Sequence, residues 1–174
     1  IGEDTVGTWH AVKWPSGQIT SIYSSVVGGE NIAYDINSVG DAAGTIWGEG
    51  IYGNSAVRWK GESMEIMPPI PSGHSSRGFG INDSGWVVGD YIDSTVSPIW
   101  GNRAFLWKND SIIKLPPIVS KGRSYAKKIN NNGLIVGYST IGESPLWWEG
   151  CVWFNGKYRR LPPAPGCYRS FAFD

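Results

Sequence analysis

Apolar residues occur along this chain in short runs, and clusters of glycine, proline, asparagine and aspartate separate the runs. Short apolar runs bounded by turn-forming residues are typical of β-strands. None of the runs approaches the roughly 18 residues that a transmembrane helix requires. The pattern therefore predicts an all-β protein without a membrane span.

One phrase occurs three times, as "NIAYDINSVGDAAGTIW", "RGFGINDSGWVVGDY" and "SYAKKINNNGLIVGYST". The shared isoleucines are Ile36, Ile81 and Ile129, so successive repeats are 45 and 48 residues apart. A second phrase follows each copy, as "AVRW", "AFLW" or "CVWF", and after it come a polar turn and a run that ends in prolines. Each unit thus contains four predicted strands, and its length is that of a four-stranded propeller blade.

The two ends of the chain match the two halves of one further unit. "YRSFAFD" matches the first strand of the repeat, and "IGEDTVGTWHAVKW" matches the part that follows it. The sequence predicts one domain, residues 1–174, folded as a small β-propeller of four blades with four antiparallel strands each. Its units are 31–67, 77–115, 124–162 and a split unit formed by 170–174 with 1–23.

The split unit would close the ring, and the residues expected to do so are Ile1, Val6, Phe171 and Phe173. Joining the two ends removes exposed sheet edges. The same strand could equally be donated to a second copy, which would give an oligomer or a filament. Both arrangements form the same hydrogen bonds, so the sequence leaves them open.

The stretch "GINDSGWVVGDY" followed by "RAFLWKNDSIIKLPPI" resembles the HAF repeat, an extracellular repeat of bacterial secreted and surface proteins. Three full units and one split unit extend this resemblance over almost the whole chain. It implies a propeller-like fold and an extracellular or cell-surface location, and it carries no catalytic motif. The chain begins at Ile1 without an initiator methionine, so we also expect a processed N-terminus.

The turn after the first strand has the same chemistry in every full unit. An asparagine that can bond the backbone opens the turn, and a glycine that can adopt positive φ follows three residues later. These turn residues are Asn37, Asn82 and Asn130, with Gly40, Gly85 and Gly133.

Two side-chain sets are expected to build the core. In the first strand, two-residue periodicity places Ile36, Ile81 and Ile129 on one face with Tyr34, Phe79 and Lys127, and small residues (Ala33, Gly78, Ala126) on the other. Small residues suit a strand where blades crowd together. Trp14, Trp59 and Trp107, with Phe154 in the last unit, close the third strand and are expected between blades, with stacking on a ligand as the alternative.

The composition argues against several classes of function. The formal net charge is zero and charged residues make up 17% of the chain, so nucleic acid is not an expected partner. His10 and His74 share no spacing with each other or with a pair of cysteines or carboxylates. We therefore predict no metal site, no cofactor and no enzymatic activity.

The loops between second and third strands vary, and together with the proline-rich segments they form one aromatic, weakly charged face. This candidate interaction face contains Trp47, Tyr52, Ile99, Trp100, Leu146, Trp147 and Trp148. Its residues could instead cap their own blades. We predict a non-enzymatic extracellular module for protein–protein interaction, foremost self-association into a structural or surface assembly, with another extracellular protein as a further partner class. Carbohydrate binding by the loop aromatics is the alternative.

The two cysteines, Cys151 and Cys167, fall at the same end of the predicted fold. A disulfide between them is therefore possible, and it would support an oxidising, extracellular location. Two free thiols are the other possibility.

Overall fold

The computed structural model describes residues 2–3, 9–13, 20–21, 29–47, 53–96, 101–142 and 147–174. Three four-stranded antiparallel sheets form the body of the molecule, each with its strands in chain order. The described residues form no helix, and hence none that is long and apolar enough to cross a bilayer. The prediction of an all-β fold is confirmed.

The three full sheets correspond to the three full sequence units. The first sheet contains β5 (Glu30–Ile36), β6 (Ala42–Trp47), β7 (Ser55–Lys60) and β8 (Ser63–Ile66). The second contains β9 (Gly73–Ile81), β10 (Val87–Asp93), β11 (Asn102–Lys108) and β12 (Ser111–Lys114). The third contains β13 (Ser124–Ile129), β14 (Ile135–Thr140), β15 (Trp148–Phe154) and β16 (Lys157–Leu161).

The split unit is only partly described. Near the start of the chain β1 (Gly2–Glu3) pairs with β2 (Trp9–His10), and β3 (Val12–Lys13) pairs with β4 (Thr20–Ser21). Residues 169–174, called the tail below, touch the third sheet through a parallel bridge between Arg169 and Trp148. Within the described residues β1 pairs only with β2, so no ladder joins the tail to the start of the chain.

A bulge interrupts the first strand of each full sheet at the same place. Tyr34, Phe79 and Lys127 are the extra residues, because the pairing jumps from Ala33 to Asp35, from Gly78 to Gly80 and from Ala126 to Lys128. After the bulge the two-residue period is reversed. The predicted sharing of one face by Ile36 and Tyr34 is therefore wrong: Ile36 pairs with Ala42 and Ala33 with Gly44, which places Ile36 on the face of Ala33.

The core lies between successive sheets, and one tryptophan of each full unit is buried in it. Trp59, Trp107 and Trp153 are at most 2% exposed, and they pair with Ala42, Val87 and Ile135 in the neighbouring strand. The prediction that Phe154 takes the tryptophan position of the last unit is therefore wrong, because Phe154 is 47% exposed. Trp153 takes that position, and Gly150 takes the position of the alanine. Trp14 lies outside the described residues.

A repeated hydrogen bond joins each unit to the next. A backbone N–H donates to a side-chain oxygen 20 residues later; in two of the four cases it runs from the third strand of one sheet to the first strand of the next, while Ala11 lies between β2 and β3 and Ser170 lies in the tail. We call it the inter-unit bond. The four pairs are Ala11 with Asn31 (2.7 Å), Ala56 with Ser76 (2.9 Å), Ala104 with Ser124 (2.9 Å) and Gly150 with Ser170 (3.0 Å).

The first strands of all three sheets meet at Asp35. Its Oδ2 accepts a bond of 2.9 Å from the backbone N–H of Ile81, in the second sheet. Its Oδ1 lies 2.7 Å from the ammonium of Lys128, in the third sheet. The first and third sheets are not neighbours in the chain, so this ion pair brings together two first strands that are distant in sequence.

The asparagine turns also form a continuous series. Each asparagine Oδ1 accepts two backbone N–H bonds within its own turn, as Asn82 does from Ser84 (3.1 Å) and Trp86 (3.0 Å). Each side-chain amide that has a following unit donates to the next turn: Asn37 to the carbonyl of Asn82 (2.9 Å), and Asn82 to that of Asn130 (3.1 Å). Gly40, Gly85 and Gly133 have φ of 90°, 72° and 79°, which glycine adopts without strain.

Candidate functional site

The predicted interaction face is only partly described, and its three described tryptophans differ in exposure. Tyr52, Ile99, Trp100 and Leu146 lie outside the described residues. Trp47 ends β6 and donates its indole N–H to Oε2 of Glu30, so it covers its own sheet. Trp148 is half-buried, and Trp147 is 53% exposed. Among these three, Trp147 alone offers most of its ring to solvent.

Trp148 belongs to an aromatic cluster that fixes the tail to the third sheet. The ring of Tyr138 lies at its centre, 5.1 Å from Tyr125, 5.5 Å from Trp148, 5.0 Å from Phe171 and 5.8 Å from Phe173, measured between ring centroids. Most of these contacts are edge-to-face or tilted, which aromatic pairs prefer. Phe171 and Phe173 are nevertheless 44% and 59% exposed.

The tail occupies the position of a first strand. Ser170 accepts the inter-unit bond from Gly150 and donates its own N–H to the carbonyl of Trp148 at 3.1 Å. Ser76 stands in the same relation to Ala56 and to the carbonyl of Asn54, at 2.8 Å. Of the predicted ring-closing residues, Phe171 and Phe173 thus lie where a first strand begins, whereas Ile1 and Val6 are outside the described residues.

Beside the tail lies a shallow apolar depression of about 680 Å³, lined by Trp147, Cys167, Tyr168 and Arg169. Tyr168 is 80% exposed. We call Trp147, Tyr168 and Arg169 the exposed aromatic patch. Tryptophan, tyrosine and arginine are the residue types enriched in the energetic centres of protein interfaces.

The disulfide considered from the sequence is not formed, because both cysteines are free thiols. Cys151 is fully buried in β15 and packs in the core between the second and third sheets. Burial raises the pKa of its thiol to about 12, and the neighbouring Glu149 adds to the rise. Cys167 is exposed in the segment before the tail.

A polar cavity of about 390 Å³ is lined mainly by residues of β9, β10 and β11 in the second sheet. In its lining the guanidinium of Arg77 (β9) donates to the carboxylate of Asp90 (β10) through Nε at 3.2 Å and Nη2 at 3.1 Å. The amide of Asn102 (β11) donates to Asp90 Oδ2 at 2.6 Å. We call this the Arg77–Asp90 cavity, and its remaining lining residues are Asn54, Ser75, Ser76, Ile92 and Tyr125.

The carboxyl group of Asp90 is almost completely buried, with 1% of the residue exposed. Burial raises its pKa above the ordinary aspartate value, and the positive charge of Arg77 opposes that rise. Perturbed carboxyl groups inside a cavity are frequent at functional sites. Both oxygens of this carboxyl accept bonds from Arg77 or Asn102, so Asp90 holds these two side chains in place at the cavity wall.

A second cavity, of about 420 Å³, lies at the end of the first strands where the asparagine turns follow. Asp35, Lys128 and Asp174 line it, with the three turn asparagines. The described residues contain no group of three or more His, Cys, Asp or Glu side chains that could hold a metal ion. Lys128 already pairs with Asp35 there, so this cavity is accounted for by contacts between units.

The residues of the Arg77–Asp90 cavity were missed in the sequence because they come from several strands of two sheets and the segment before β7. A signal was nevertheless present. The residue after the shared Val/Ala-Gly pair differs between units, as Thr45, Asp90 and Tyr138, and an aspartate in the otherwise apolar run "VVGDY" marks an inward-facing charge. Such a buried charge is rare without a partner.

Comparison with known proteins corrects the family drawn from the repeat. No match to the HAF repeat is found, so that resemblance was wrong. No curated protein matches the chain. One family model does match, over residues 23–144, and its description is "Protein of unknown function (DUF3466)". Because this match covers more than half of the sequence, the chain belongs to the DUF3466 family.

Proposed function

We propose that the chain forms a small four-unit propeller in which the tail and the N-terminal strands make up the fourth unit within one molecule. The inter-unit bond supports this arrangement. Ala11 donates such a bond to the first sheet, and Ser170 accepts one from the third sheet. The two halves of the split unit are thus attached to the two flanks of the three-sheet body. The contact of Asp35 with both other sheets supports a common axis.

We further propose that the protein is a non-enzymatic interaction module that associates with other copies of itself. The observation that carries this proposal is the exposed aromatic patch. Trp147 and Tyr168 are 53% and 80% exposed, and they line the same depression. Contiguous exposed aromatic surface is characteristic of interaction sites. A net charge of zero opposes association little, because the copies do not repel one another.

Light scattering over a wide concentration range tests this proposal. The wild-type mass should rise above the monomer mass of 19.0 kDa as concentration increases. Substituting both Trp147→Ser and Tyr168→Ser should hold the mass near 19.0 kDa. The matched control is Phe154→Ser with Tyr158→Ser, two aromatic residues that are 47% and 40% exposed elsewhere on the third sheet.

Two results would overturn self-association through the patch. One is a wild-type mass that stays at the monomer value at every concentration. The other is an equal loss of association in the control pair, which would show that any exposed aromatic residue has this effect.

We propose an extracellular or cell-surface location for this module. The free thiols do not add support for it, because no disulfide is formed. The location remains a prediction, which fractionation of the native cells with an antibody to this chain would check. Recovery only with cytoplasmic marker proteins would contradict it.

A further inference from the structure

The Arg77–Asp90 cavity is a feature of one unit and is not required by the repeat. Ladder pairing aligns three positions across the sheets: Arg77 pairs with Asp90 in the second sheet, Ile32 with Thr45 in the first, and Tyr125 with Tyr138 in the third. The fold therefore accommodates apolar, neutral polar or aromatic pairs there. An ion pair with one member buried is costly to desolvate and is not needed to form a blade.

The cavity offers many hydrogen-bonding groups and little net charge. Arg77 neutralises Asp90 through two bonds, so the pair presents no excess charge of either sign. Amide groups of Asn54 and Asn102 and the hydroxyl of Ser75 complete a lining of mixed donors and acceptors. Such a lining matches a neutral ligand with several hydroxyl groups better than an ion.

Two less polar surfaces border this polar lining. Ile92 and the ring of Tyr125 lie in the same cavity. A sugar ring has hydroxyls around its edge and C–H groups on its faces, so it can bond polar groups while it packs against an aromatic ring. The volume of about 390 Å³ is in the range of small-ligand pockets.

We propose that the Arg77–Asp90 cavity binds one glycosyl residue of a neutral carbohydrate. Asn54, Ser75 and the half-exposed guanidinium of Arg77 bond the ring hydroxyls, Asp90 holds that guanidinium in position, and Tyr125 with Ile92 covers a C–H face. This site goes beyond self-association and does not depend on it, because the cavity shares no lining residue with the exposed aromatic patch.

Saturation-transfer difference NMR on the wild-type protein tests the proposal, with methyl glucoside, methyl galactoside, methyl mannoside and N-acetylglucosamine as separate probes. At least one probe should receive saturation, and its titration should give an affinity. Asp90→Asn and Asn54→Ala should each weaken that affinity at least about tenfold, because the first loosens the hold on the Arg77 guanidinium and the second removes a polar group that bonds the sugar.

The matched control is Glu149→Gln. Glu149 is also a buried carboxylate, 4% exposed, and it is bonded through both oxygens by an arginine, Arg160, at 2.5 and 2.8 Å. It lies outside the cavity, so this variant should bind the probe like wild type. If Asp90→Asn fails to fold, as judged by circular dichroism, the Asn54→Ala variant decides the outcome, because its side chain takes no part in the ion pair.

Three results would overturn the proposal. The first is the absence of transfer to every sugar probe. The second is unchanged affinity in the folded cavity variants. The third is equal transfer to glycerol, which carries hydroxyls without a ring and would reveal unspecific contact with the surface.

Discussion

The backbone of Gly89 passes so close to Arg77 that a β-carbon on Gly89 would lie 1.8 Å from the Arg77 carbonyl oxygen. The same relation holds for Gly44 with the carbonyl of Ile32 (2.0 Å) and for Gly137 with that of Tyr125 (1.9 Å). In each sheet this carbonyl lies next to the bulge of the first strand. The glycine of the repeated phrase is therefore required by the bulge opposite it.

Replacing this glycine should severely destabilise the fold. Gly89→Ala places a methyl group against backbone, which cannot move aside as a flexible side chain can, and we expect a loss of about 3 kcal/mol or more in the free energy of unfolding. Gly142→Ala is the control, because its nearest atom would be 4.0 Å away, in the ring of Trp147. Urea denaturation of the two variants measures the difference. Equal stability of the two would show that the bulge can rearrange.

Where it is buried, the inter-unit bond should contribute strongly to the free energy of unfolding. Ser124 is completely buried, and Ser124→Ala leaves the N–H of Ala104 without its acceptor. We expect a loss of about 1–3 kcal/mol in unfolding free energy. Ser84→Ala, at an exposed turn position, should change it by no more than about 0.5 kcal/mol. If denaturant unfolding gave both variants the stability of wild type, the inter-unit bond would not stabilise the fold.

The buried carboxyl of Asp90 should make stability depend on pH in an unusual direction. Its pKa is raised in the folded protein, mainly by burial, so folding favours the protonated form. The stability that Asp90 contributes is fully present below the ordinary carboxyl pKa, and it is lost as the pH rises through the raised pKa of the folded state. The stability of wild type relative to Asp90→Asn should therefore fall as the pH rises from below the ordinary aspartate pKa of 3.8 through the raised value.

Urea unfolding of both proteins across this range provides the measurement. Glu65 and Asp93 have lowered pKa values and act in the opposite direction, but they are present in both proteins and cancel in the comparison. A difference that stayed constant, or increased with pH, would show that Arg77 rather than burial determines the pKa of Asp90.

The two thiols should differ sharply in reactivity. Cys167 is exposed, whereas Cys151 is buried and its thiol pKa is raised to about 12, so little reactive thiolate forms. An aromatic disulfide reagent near neutral pH should label one thiol quickly and the second only after denaturant is added. Cys167→Ser should abolish the fast phase. Fast labelling of two thiols in the native protein would contradict the burial of Cys151.

The repeat made much of the architecture predictable from the sequence. Asparagine and glycine at fixed positions specify the turns, and short apolar runs specify the strands. The bulge was missed because strict two-residue alternation was assumed, although the glycine within "VVGDY" or "LIVGYST" marks a strand position with no room for a side chain.

The register of the last unit was missed for a different reason. Gly150 replaces the small alanine and Phe154 replaces a lysine, so two aromatic residues in succession could each take the tryptophan position. Only the pairing of Ile135 with Trp153 in the structure shows that Trp153, and not Phe154, takes this position. The ion pair of Arg77 and Asp90 could not be foreseen either, because it depends on which strands become neighbours.

A cross-link between the two halves of the split unit tests the central claim most directly. In the first sheet Trp47 pairs with Glu30, one residue before Asn31, which accepts an inter-unit bond. In the split unit Glu3, which pairs with Trp9 of β2, corresponds to Trp47. Arg169 corresponds to Glu30, because it directly precedes Ser170, which accepts the inter-unit bond from Gly150. Paired residues on adjacent strands are close enough for a disulfide.

The measurement is therefore oxidation of a protein that carries Glu3→Cys, Arg169→Cys and Cys167→Ser, followed by mass spectrometry of its peptides. Mixing ¹⁴N-labelled and ¹⁵N-labelled copies distinguishes bridges within a chain from bridges between chains. The account predicts a bridge in high yield that contains a single isotope. A mixed-isotope bridge, or none at all, would contradict a propeller closed by its own two ends.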